Sequence, residues 1–246
     1  MGTAIVITSG KGGTGKTTSA GAISSCLAYL GHRTIAIDLD VGLRNLDLVL
    51  GLTDVSTTDF TDVLDGGLSL EEAAVKHPDI ENLWFLSAPS TVSAEDIDKE
   101  KMAVLIAAAK REYEYVILDC PAGLGAGFRL AAEGADMAII AATGDAASLR
   151  DGQRTAAELY DMGFENVRLL INRARPKVLK RTRTTVDDLI NAVGARLIGI
   201  VSEDERVIMA ANLERPLIKY DIQGASEQYY RIARRILGDE VPLGKI

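Results

Sequence analysis

A glycine-rich loop near the amino terminus contains the residues whose types and spacing most clearly indicate chemistry. Residues 9–18 read SGKGGTGKTT, and within them Gly10 to Thr17 match the pattern G-x-x-x-x-G-K-[ST]. Glycine lets the backbone approach phosphate oxygens closely, and the free N–H groups at the start of a helix attract anions. We predict that the following residues bind a nucleotide: Gly10, Lys11, Gly12, Gly13, Thr14, Gly15, Lys16, Thr17 and Thr18.

The two lysines of this loop have different predicted roles. Lys16 is expected to reach the β- and γ-phosphates as a catalytic cation, and the Thr17 hydroxyl is expected to ligate Mg²⁺. Lys11 stands at the entrance of the loop, where its side chain should point away from the phosphates that its own loop holds. It is either a solvated surface lysine or a lysine that reaches the nucleotide of a second subunit. The spacing alone leaves both interpretations open.

Aspartates follow two of the apolar segments of the chain. Asp38 and Asp40 belong to TIAIDLD, and Asp119 ends YVILD. In a parallel sheet both segments end at the edge where the phosphate loop lies. Because Mg²⁺ keeps most of its waters, Asp38 and Asp119 are predicted to hold metal-bound waters. Asp40 is predicted to orient the attacking water or to accept its proton. A lone aspartate here would more often be a helix cap, but the phosphate loop favours the metal site.

The segments around these residues predict a single-domain α/β fold. Short runs of aliphatic residues are apolar nearly throughout, as in strands that are buried on both faces. Their alternation with helix-length segments predicts a P-loop NTPase fold whose mostly parallel, twisted sheet is covered by helices on both faces. The predicted strands are AIVITS, TIAIDL, LWFLSA, YVILDC, MAIIAAT, VRLLIN and LIGIVS. The predicted helices cover residues 15–30, 101–112, 146–162, 185–193 and 226–237.

Composition and charge exclude several classes of protein. The net charge of −8 argues against a general attraction to nucleic acid, although a local basic patch could still act. No apolar run reaches the roughly 18 residues that span a bilayer, and the amino terminus does not read as an export signal. Cys26 and Cys120 lie far apart in the sequence, so neither a zinc site nor a bridged metal cluster is indicated. A cytoplasmic protein is expected.

The loop resembles a motif of a known family. KGGTGKTT is similar to the deviant Walker A motif of the MinD/ParA ATPases, in which the extra lysine is a signature. In that family the lysine contacts the partner subunit's phosphates in a nucleotide sandwich dimer, and the resemblance implies this role for Lys11. The segments DLDVGLRNLDLVLGL, LDCPAG and ASLRDGQR are similar to the MinD branch in particular. The resemblance runs to about Leu237 and implies ATP, Mg²⁺ and a homodimer that forms with ATP.

The resemblance also implies two switch segments. Asp38 and Asp40 correspond to the first switch and Asp119 to the second. Asn45 lies in the first switch loop, which in the family also helps to receive a partner protein.

Further roles are implied on the other side of the loop. Asp151, in SLRDGQR, corresponds to an aspartate that pairs with the signature lysine, here Lys11. Asn172, in LLINRARP, corresponds to the residue that reads adenine, and Arg173 follows it in the same nucleotide-binding segment. IVSEDERV resembles a second loop that flanks the base.

The carboxyl-terminal segment differs from the usual pattern of the MinD branch. We divide the chain into an ATPase domain, residues 1–237, and a short tail, residues 238–246. MinD proteins usually end in a basic amphipathic helix that binds anionic membrane. Here DEVPLGKI begins with two acidic residues and contains Pro242, so it is not expected to form such a helix. Either this tail is cut short, or the protein does not cycle on membrane in the usual way of the MinD branch.

A basic run, NRARPKVLKRTRTT, contrasts with the acidic chain. Its cations are Arg173, Arg175, Lys177, Lys180, Arg181 and Arg183. It is either a solvated loop or a surface for anionic lipid, nucleic acid or an acidic partner.

Three functions are compatible with these observations. The first is a MinD-type ATPase switch whose ATP-dependent dimer recruits a division inhibitor and answers to a topological regulator. Its turnover should be slow, since no Gln or Arg finger is apparent near the loop. A peripheral position at the inner face of the cell membrane is possible for it. The second is a ParA-like positioning ATPase acting on non-specific DNA or a polar organelle. The third is a metabolic P-loop enzyme or metal-cluster carrier, which the cysteine spacing does not favour.

Overall fold

The computed structural model describes residues 1–41, 44–53, 55, 57–90 and 92–244. The strands of the described residues are β1 (Thr3–Thr8), β2 (Thr34–Asp38), β3 (Val75–Lys76), β4 (Leu83–Leu86), β5 (Tyr115–Asp119), β6 (Met137–Ala142), β7 (Val167–Ala174) and β8 (Arg196–Ser202). They form one eight-stranded sheet in the order β3-β4-β2-β5-β1-β6-β7-β8.

Helices connect these strands. They are α1 (Lys16–Tyr29), α2 (Leu46–Leu50), α3 (Phe60–Leu64), α4 (Leu70–Ala73), α5 (Lys99–Glu112), α6 (Ala126–Ala132), α7 (Ala146–Asp161), α8 (Pro176–Thr182), α9 (Val186–Val193), α10 (Glu205–Asn212), α11 (Leu217–Tyr220) and α12 (Ala225–Ile236), with one 3₁₀ turn at Ala94–Asp96.

Strand β1 lies in the middle of the sheet and marks the point where the strand order reverses. It pairs in parallel with β5 on one side and with β6 on the other. Among the described strands only β3 runs antiparallel, against β4. Ligands of open α/β sheets bind at the carboxyl ends of the strands next to such a reversal. The predicted phosphate loop, which follows β1, lies at this place.

Apolar side chains cover both faces of the sheet, as predicted. In β5, Val116 and Leu118 point into a first core that α5, α6, α7 and α9 complete. Ile117, between them, points into a second core that α1, α2, α10, α11 and α12 complete. This alternation follows from the two-residue period of a strand. The mostly parallel sheet with helices on both faces is thus confirmed.

The structure adds elements that the pattern did not predict. Short helices such as α2, α3 and α4 have too few turns to show a helical period, and β3 has only two residues. The basic run, which could be read as a solvated loop, contains the helix α8, with Pro176 in its first turn, where a missing N–H is harmless. No residue of α8 is buried. Beyond α12, residues 239–244 have no regular secondary structure.

Candidate nucleotide-binding site

The phosphate loop leaves the start of α1 open for an anion. Gly13 and Gly15 have left-handed backbone angles, with φ of 79° and 86°. Gly15 is the N-cap of α1, and no side chain caps this helix. By contrast, aspartates cap α5 and α7 through hydrogen bonds to the backbone. The first N–H groups of α1 have no acceptor within the helix, so they can bind phosphate oxygens.

Lys16 is a buried cation without a counter-ion. Lys16 as a whole residue is only 7% exposed to solvent. Among the described residues, none forms a hydrogen bond or an ion pair with it. Burial raises the pKa values of Asp40 and Asp119, and the charge of Lys16 opposes this rise in both, so all three groups are near one another. A buried charge is costly unless it is paired, and an anionic ligand would supply the missing partner.

Asp119 supplies the complementary feature, a buried carboxylate without a partner. It is 1% exposed, and neither oxygen is hydrogen bonded in the described structure. Burial and then the neighbouring Asp38 charge raise its pKa well above the usual range, while the Thr17 side chain and Lys16 act in the opposite direction. An orphaned acceptor here fits the water shell of a hard cation. The Thr17 side chain therefore lies beside Asp119, and the role of the two residues in holding Mg²⁺ stays a prediction.

Asp38 lies beside Asp119 but has a different environment. The two residues are register partners on β2 and β5. Asp38 Oδ1 accepts a hydrogen bond from the Asp40 N–H at 2.9 Å, and Oδ2 accepts one from the Leu46 N–H at 3.2 Å. Burial raises the pKa of Asp38 to about 6. Asp38 thus also fixes both ends of the segment that follows β2, and its contact with metal-bound water stays a prediction.

Asp40 belongs, with Asp38, to the segment that is predicted to be the first switch. The Asp40 side chain is half-buried, burial raises its pKa, and Lys16 lowers it. The Asp40 carbonyl accepts the Arg44 N–H at 3.3 Å. Asn45 is exposed and precedes α2, where a partner could reach it. Residues 42 and 43 of this segment lie outside the described residues.

Lys11 pairs with Asp145 in this structure, not with Asp151 as the resemblance implied. Lys11 Nζ lies 3.2 Å from Asp145 Oδ1. Asp145 follows β6 and is the N-cap of α7, so it stands at the same sheet edge as the loop. Asp151 is in the second turn of α7 and packs against the loop with its Cβ and its backbone carbonyl. A Cβ at Gly10 would come within 2.6 Å of the Asp151 carbonyl oxygen.

The Asp145 carboxylate is held firmly in its charged form. Partial burial raises its pKa, but hydrogen bonds from Thr143, Ser148 and Lys11 outweigh that effect and bring it to about 2. The sequence contained a signal for this residue, because aspartate before a helix and three positions ahead of Ser148 is a typical N-cap. The sequence did not indicate that this aspartate would form an ion pair with Lys11.

Asn172 is committed to the phosphate loop. It is 3% exposed, and its Nδ2 donates to the Thr14 carbonyl at 2.9 Å. Its Oδ1 accepts from the Arg173 N–H at 2.9 Å and from the Tyr229 hydroxyl at 3.2 Å. A Cβ on Gly15 would come within 2.3 Å of Nδ2, so the amide lies directly on the loop. Its role in reading adenine stays a prediction.

Arg173 also contacts the loop. Its backbone φ is 51°, and Nη1 donates to the Gly13 carbonyl at 3.1 Å. Nη2 donates to Glu203 Oε1 at 3.1 Å, and Arg175 contacts the same carboxylate. Hydrogen bonds from Arg175 and then Arg173 lower the pKa of Glu203 to about 2. Glu203 belongs to the segment that resembles a base-flanking loop.

Two cavities flank the loop. One, of about 380 Å³, is lined by Lys11, Asp145, Arg173 and Glu203 together with apolar atoms of α8. The other, of about 340 Å³, lies beside the start of α1 and has mainly apolar walls. Its lining includes Asn172, Val201, Val207, Ile208 and Tyr229. Its size and apolar lining suit a nucleotide base. Sequence reasoning had not singled out Tyr229 or Ile208, because neither belongs to a motif.

The described residues contain neither a cluster of metal-ligating side chains nor a membrane-spanning helix. Nowhere in them do three or more His, Cys, Asp or Glu side chains gather as a set of metal ligands. Mg²⁺ does not need such a cage, because it is usually held by one or two side chains, waters and substrate phosphates. None of the helices in the described ranges has both the length and the apolar character needed to cross a bilayer.

Comparisons with known proteins agree with this geometry. Residues 5–217 match the family described as the CobQ/CobB/MinD/ParA nucleotide binding domain. The septum site-determining protein MinD of Bacillus subtilis (strain 168) is 40% identical over 246 residues, which cover 99% of this chain and 92% of that protein.

Solved structures of high similarity are also found. A chain of the MinC:MinD cell division protein complex from Aquifex aeolicus superposes with a TM-score of 0.91 at 36% identity, covering 99% of both chains. The septum site-determining protein MinD of Pyrococcus horikoshii OT3, complexed with Mg-ADP, superposes with a TM-score of 0.83 at 27% identity. It covers 98% of this chain and 100% of that one.

Proposed function

Because this chain belongs to the CobQ/CobB/MinD/ParA family of nucleotide-binding domains, we propose that it is a MinD-type ATPase that regulates placement of the division septum. One observation carries the ATPase assignment. At the carboxyl edge of the sheet, the uncapped start of α1, the unpaired Lys16 and the unpartnered Asp119 lie together. This arrangement has a place for the anionic phosphates and for the hydrated cation of Mg²⁺·ATP.

The proposed reaction is attack of water on the γ-phosphate of ATP. The loop N–H groups and Lys16 hold the β- and γ-phosphates, and Thr17 and Asp119 hold the cation and its waters. Bound Mg²⁺ neutralises the charge that develops on the phosphate oxygens. Asp40, half-buried near Lys16, orients the water and accepts its proton.

Slow turnover without a partner is part of the proposal. Among the described arginines, Arg173 contacts the loop, but its guanidinium is occupied by the Gly13 carbonyl and Glu203. Arg173 is therefore not free to stabilise the charge on the γ-phosphate as an arginine finger does. A topological regulator would supply the missing acceleration, and a division inhibitor would be the other partner, as in the complex of the Aquifex aeolicus relative.

The active form is proposed to be an ATP-bound dimer. Lys11 lines the cavity of about 380 Å³ and has a side chain that is 36% exposed. In the dimer Lys11 would leave Asp145 and contact the nucleotide of the second subunit. Its pair with Asp145 is half-exposed, so breaking it should cost little, about 1 kcal/mol or less.

Lys11→Ala tests this proposal. The variant should keep wild-type affinity for ATP, because Lys16 and the loop backbone are unchanged, but it should form no dimers. Light scattering after gel filtration with Mg²⁺ and ATP, and again with ADP, measures both states.

Two controls make this result specific. Asp145→Asn keeps an N-cap acceptor for α7 and should still dimerise with ATP, whereas Lys16→Ala should lose ATP binding altogether. Dimers of Lys11→Ala with ATP would contradict the cross-subunit role, and normal ATP affinity of Lys16→Ala would contradict the whole site.

The basic surface of α8 favours a second candidate, a ParA-like positioning ATPase. In the described residues no acid forms an ion pair with Lys177, Lys180, Arg181 or Arg183. If this surface binds phosphates of DNA, the ATP-bound protein should bind non-specific duplex with an affinity that falls steeply as salt increases. If the ATP-bound protein does not bind DNA at low salt, the ParA-like candidate is excluded and the septum function remains.

A further inference from the structure

A buried hydroxyl of the last helix joins the elements of the nucleotide site. Tyr229, in α12, is 1% exposed. Its hydroxyl lies 3.0 Å from Ser19 Oγ in α1 and 3.2 Å from Asn172 Oδ1 at the end of β7. Ser19 Oγ in turn lies 2.7 Å from the Gly15 carbonyl, and Asn172 Nδ2 lies 2.9 Å from the Thr14 carbonyl. The route from Tyr229 through Asn172 therefore ends on the backbone of the phosphate loop, and Ser19 lies between Tyr229 and the Gly15 carbonyl.

The donors and acceptors of this network determine one orientation of the Asn172 amide. The Thr14 carbonyl can only accept, so it must face Nδ2, and the Arg173 N–H can only donate, so it must face Oδ1. Tyr229 must then donate to Oδ1, which accepts both bonds. Ser19 has one proton, which goes either to the Gly15 carbonyl or to the Tyr229 oxygen.

The hydroxyl is suited to act as a permanent donor. Burial raises the pKa of Tyr229 to about 12, so it stays protonated at any physiological pH. A buried hydroxyl that lacked partners would lower the stability of the fold, and here its described partners are the two groups that contact the loop. The ring itself packs in the second core, which a phenylalanine would fill equally well.

We propose that Tyr229 is a positioning residue of the nucleotide site: through Asn172, and with Ser19 beside it, its hydroxyl holds the Thr14–Gly15 backbone in the conformation that receives the phosphates. Asn172 acts here as a support of the loop, whichever base is bound. This inference rests on the nucleotide site proposed above, and it adds a group from the opposite end of the chain to that site.

The test compares hydroxyl deletions with matched controls. Tyr229→Phe and Ser19→Ala remove the two hydroxyls of the network. Tyr160→Phe removes a hydroxyl that donates to the Gly194 carbonyl, and Ser24→Ala removes a buried hydroxyl of α1 that donates to the Gly21 carbonyl. Leu105→Ala, in the first core, should lower the stability of the fold without changing the hydroxyl network. Dissociation constants are measured for Mg²⁺·ATP and Mg²⁺·ITP, which share their phosphates and differ in the base, well below each thermal midpoint.

The expected result is a loss of affinity that does not depend on the base. Tyr229→Phe and Ser19→Ala should each raise the dissociation constants for ATP and ITP by the same factor, roughly fivefold, as expected for the loss of one hydrogen bond. The controls should bind both nucleotides like the wild type, including Leu105→Ala despite its lower thermal midpoint. If the two hydroxyls mattered only because they stabilise the fold, Leu105→Ala, which weakens the fold elsewhere, would lose nucleotide affinity as well.

Three results would overturn the proposal. Unchanged affinity of both network variants would show that the hydroxyls do not position the loop. A loss for ATP with none for ITP would show that they act on the base. If Leu105→Ala loses as much nucleotide affinity as the network variants, the two hydroxyls affect binding only through the overall stability of the fold. If Tyr229→Phe does not fold, Ser19→Ala decides alone, and a wild-type chain that binds no nucleotide would refute the proposed function instead.

Discussion

At the scale of single residues, the site keeps opposite charges close together but unpaired. Lys16 has no ion pair, and Asp119 has no hydrogen bond, in the described residues. Asp38 next to Asp119 adds a second negative charge in a buried place. Such an arrangement destabilises the chain without ligand, and Mg²⁺·ATP would relieve it by binding to both kinds of group.

Asp119→Asn should therefore stabilise the nucleotide-free protein. The folded chain raises the pKa of Asp119, so it binds this proton more tightly than the unfolded chain does, and the free energy of unfolding falls as pH rises above about 4. Asparagine has no such titration. At pH 7 the variant should therefore be more stable than the wild type and unfold at a higher temperature. Calorimetry from pH 4 to 8 without Mg²⁺ measures this difference.

Asp38→Asn is the matched control. Asp38 accepts two backbone hydrogen bonds, from Asp40 and Leu46, and an amide can accept at only one of its ends. Burial raises the pKa of Asp38 to about 6, so removing its charge also relieves a cost, but one backbone N–H loses its acceptor. This variant should therefore gain less stability at pH 7 than Asp119→Asn. A fall in the midpoint of Asp119→Asn would show that its carboxylate is compensated in a way that the geometry does not indicate.

At the scale of elements, α12 supports two different parts of the molecule. Near its middle Tyr229 contacts the phosphate loop network, and near its end Arg235 holds the segment that follows. Arg235 donates to the carbonyls of Ile198, Val241 and Pro242, each at 2.9 Å. Ile198 belongs to β8, the edge strand, so the segment 239–244 is tied to that edge of the sheet.

Arg235→Lys should release this segment. Lysine keeps the charge but has a single donor group, which is unable to reach three carbonyls in the fixed fork of a guanidinium. We expect faster cleavage within residues 239–244 by a non-specific protease and a loss of about 2 kcal/mol in the free energy of unfolding.

Arg234→Lys provides the comparison. Arg234 makes one exposed contact, to Asp239 at 2.8 Å, and its replacement should change neither property by much. Equal cleavage of the two variants would mean that the Arg235 hydrogen bonds do not hold the segment.

At the scale of the whole molecule, the sheet joins two cores that share the same strands. Val116 and Leu118 belong to the first core, and Ile117 belongs to the second. Because alternate residues of one strand lie in both, neither core should unfold without disrupting the other. The single tryptophan, Trp84, packs against the first core and reports on it by fluorescence.

Ile117→Ala tests this coupling. Truncation of this fully buried side chain should lower the free energy of unfolding by about 2–5 kcal/mol. Although the change is in the second core, the urea midpoint from Trp84 fluorescence should fall as far as that from circular dichroism. Val104→Ala, at a side chain that is 69% exposed, should leave both midpoints in place. Separate midpoints for the two probes would show that the cores unfold independently.

The sequence by itself determined the features that depend on neighbours along the chain. The phosphate loop was predictable because left-handed glycines, a helix start and a preceding apolar strand are all local. Strands with buried faces read as apolar runs, which gave the main strands, the mostly parallel sheet and the aspartates at its edge. Short helices such as α2 were missed because too few residues show a period.

Only the tertiary structure decided which side chains meet. Lys11 lies 134 positions from Asp145, Asn172 lies 158 positions from Thr14, and Tyr229 lies 210 positions from Ser19. Each pair is brought together by the order of the strands and by how α7 and α12 pack on them. The resemblance therefore indicated that an aspartate would pair with Lys11, but it indicated Asp151, whereas Lys11 pairs with Asp145. The geometry of the helix start placed Asp145 there, because spacing along a chain does not encode distances across a sheet.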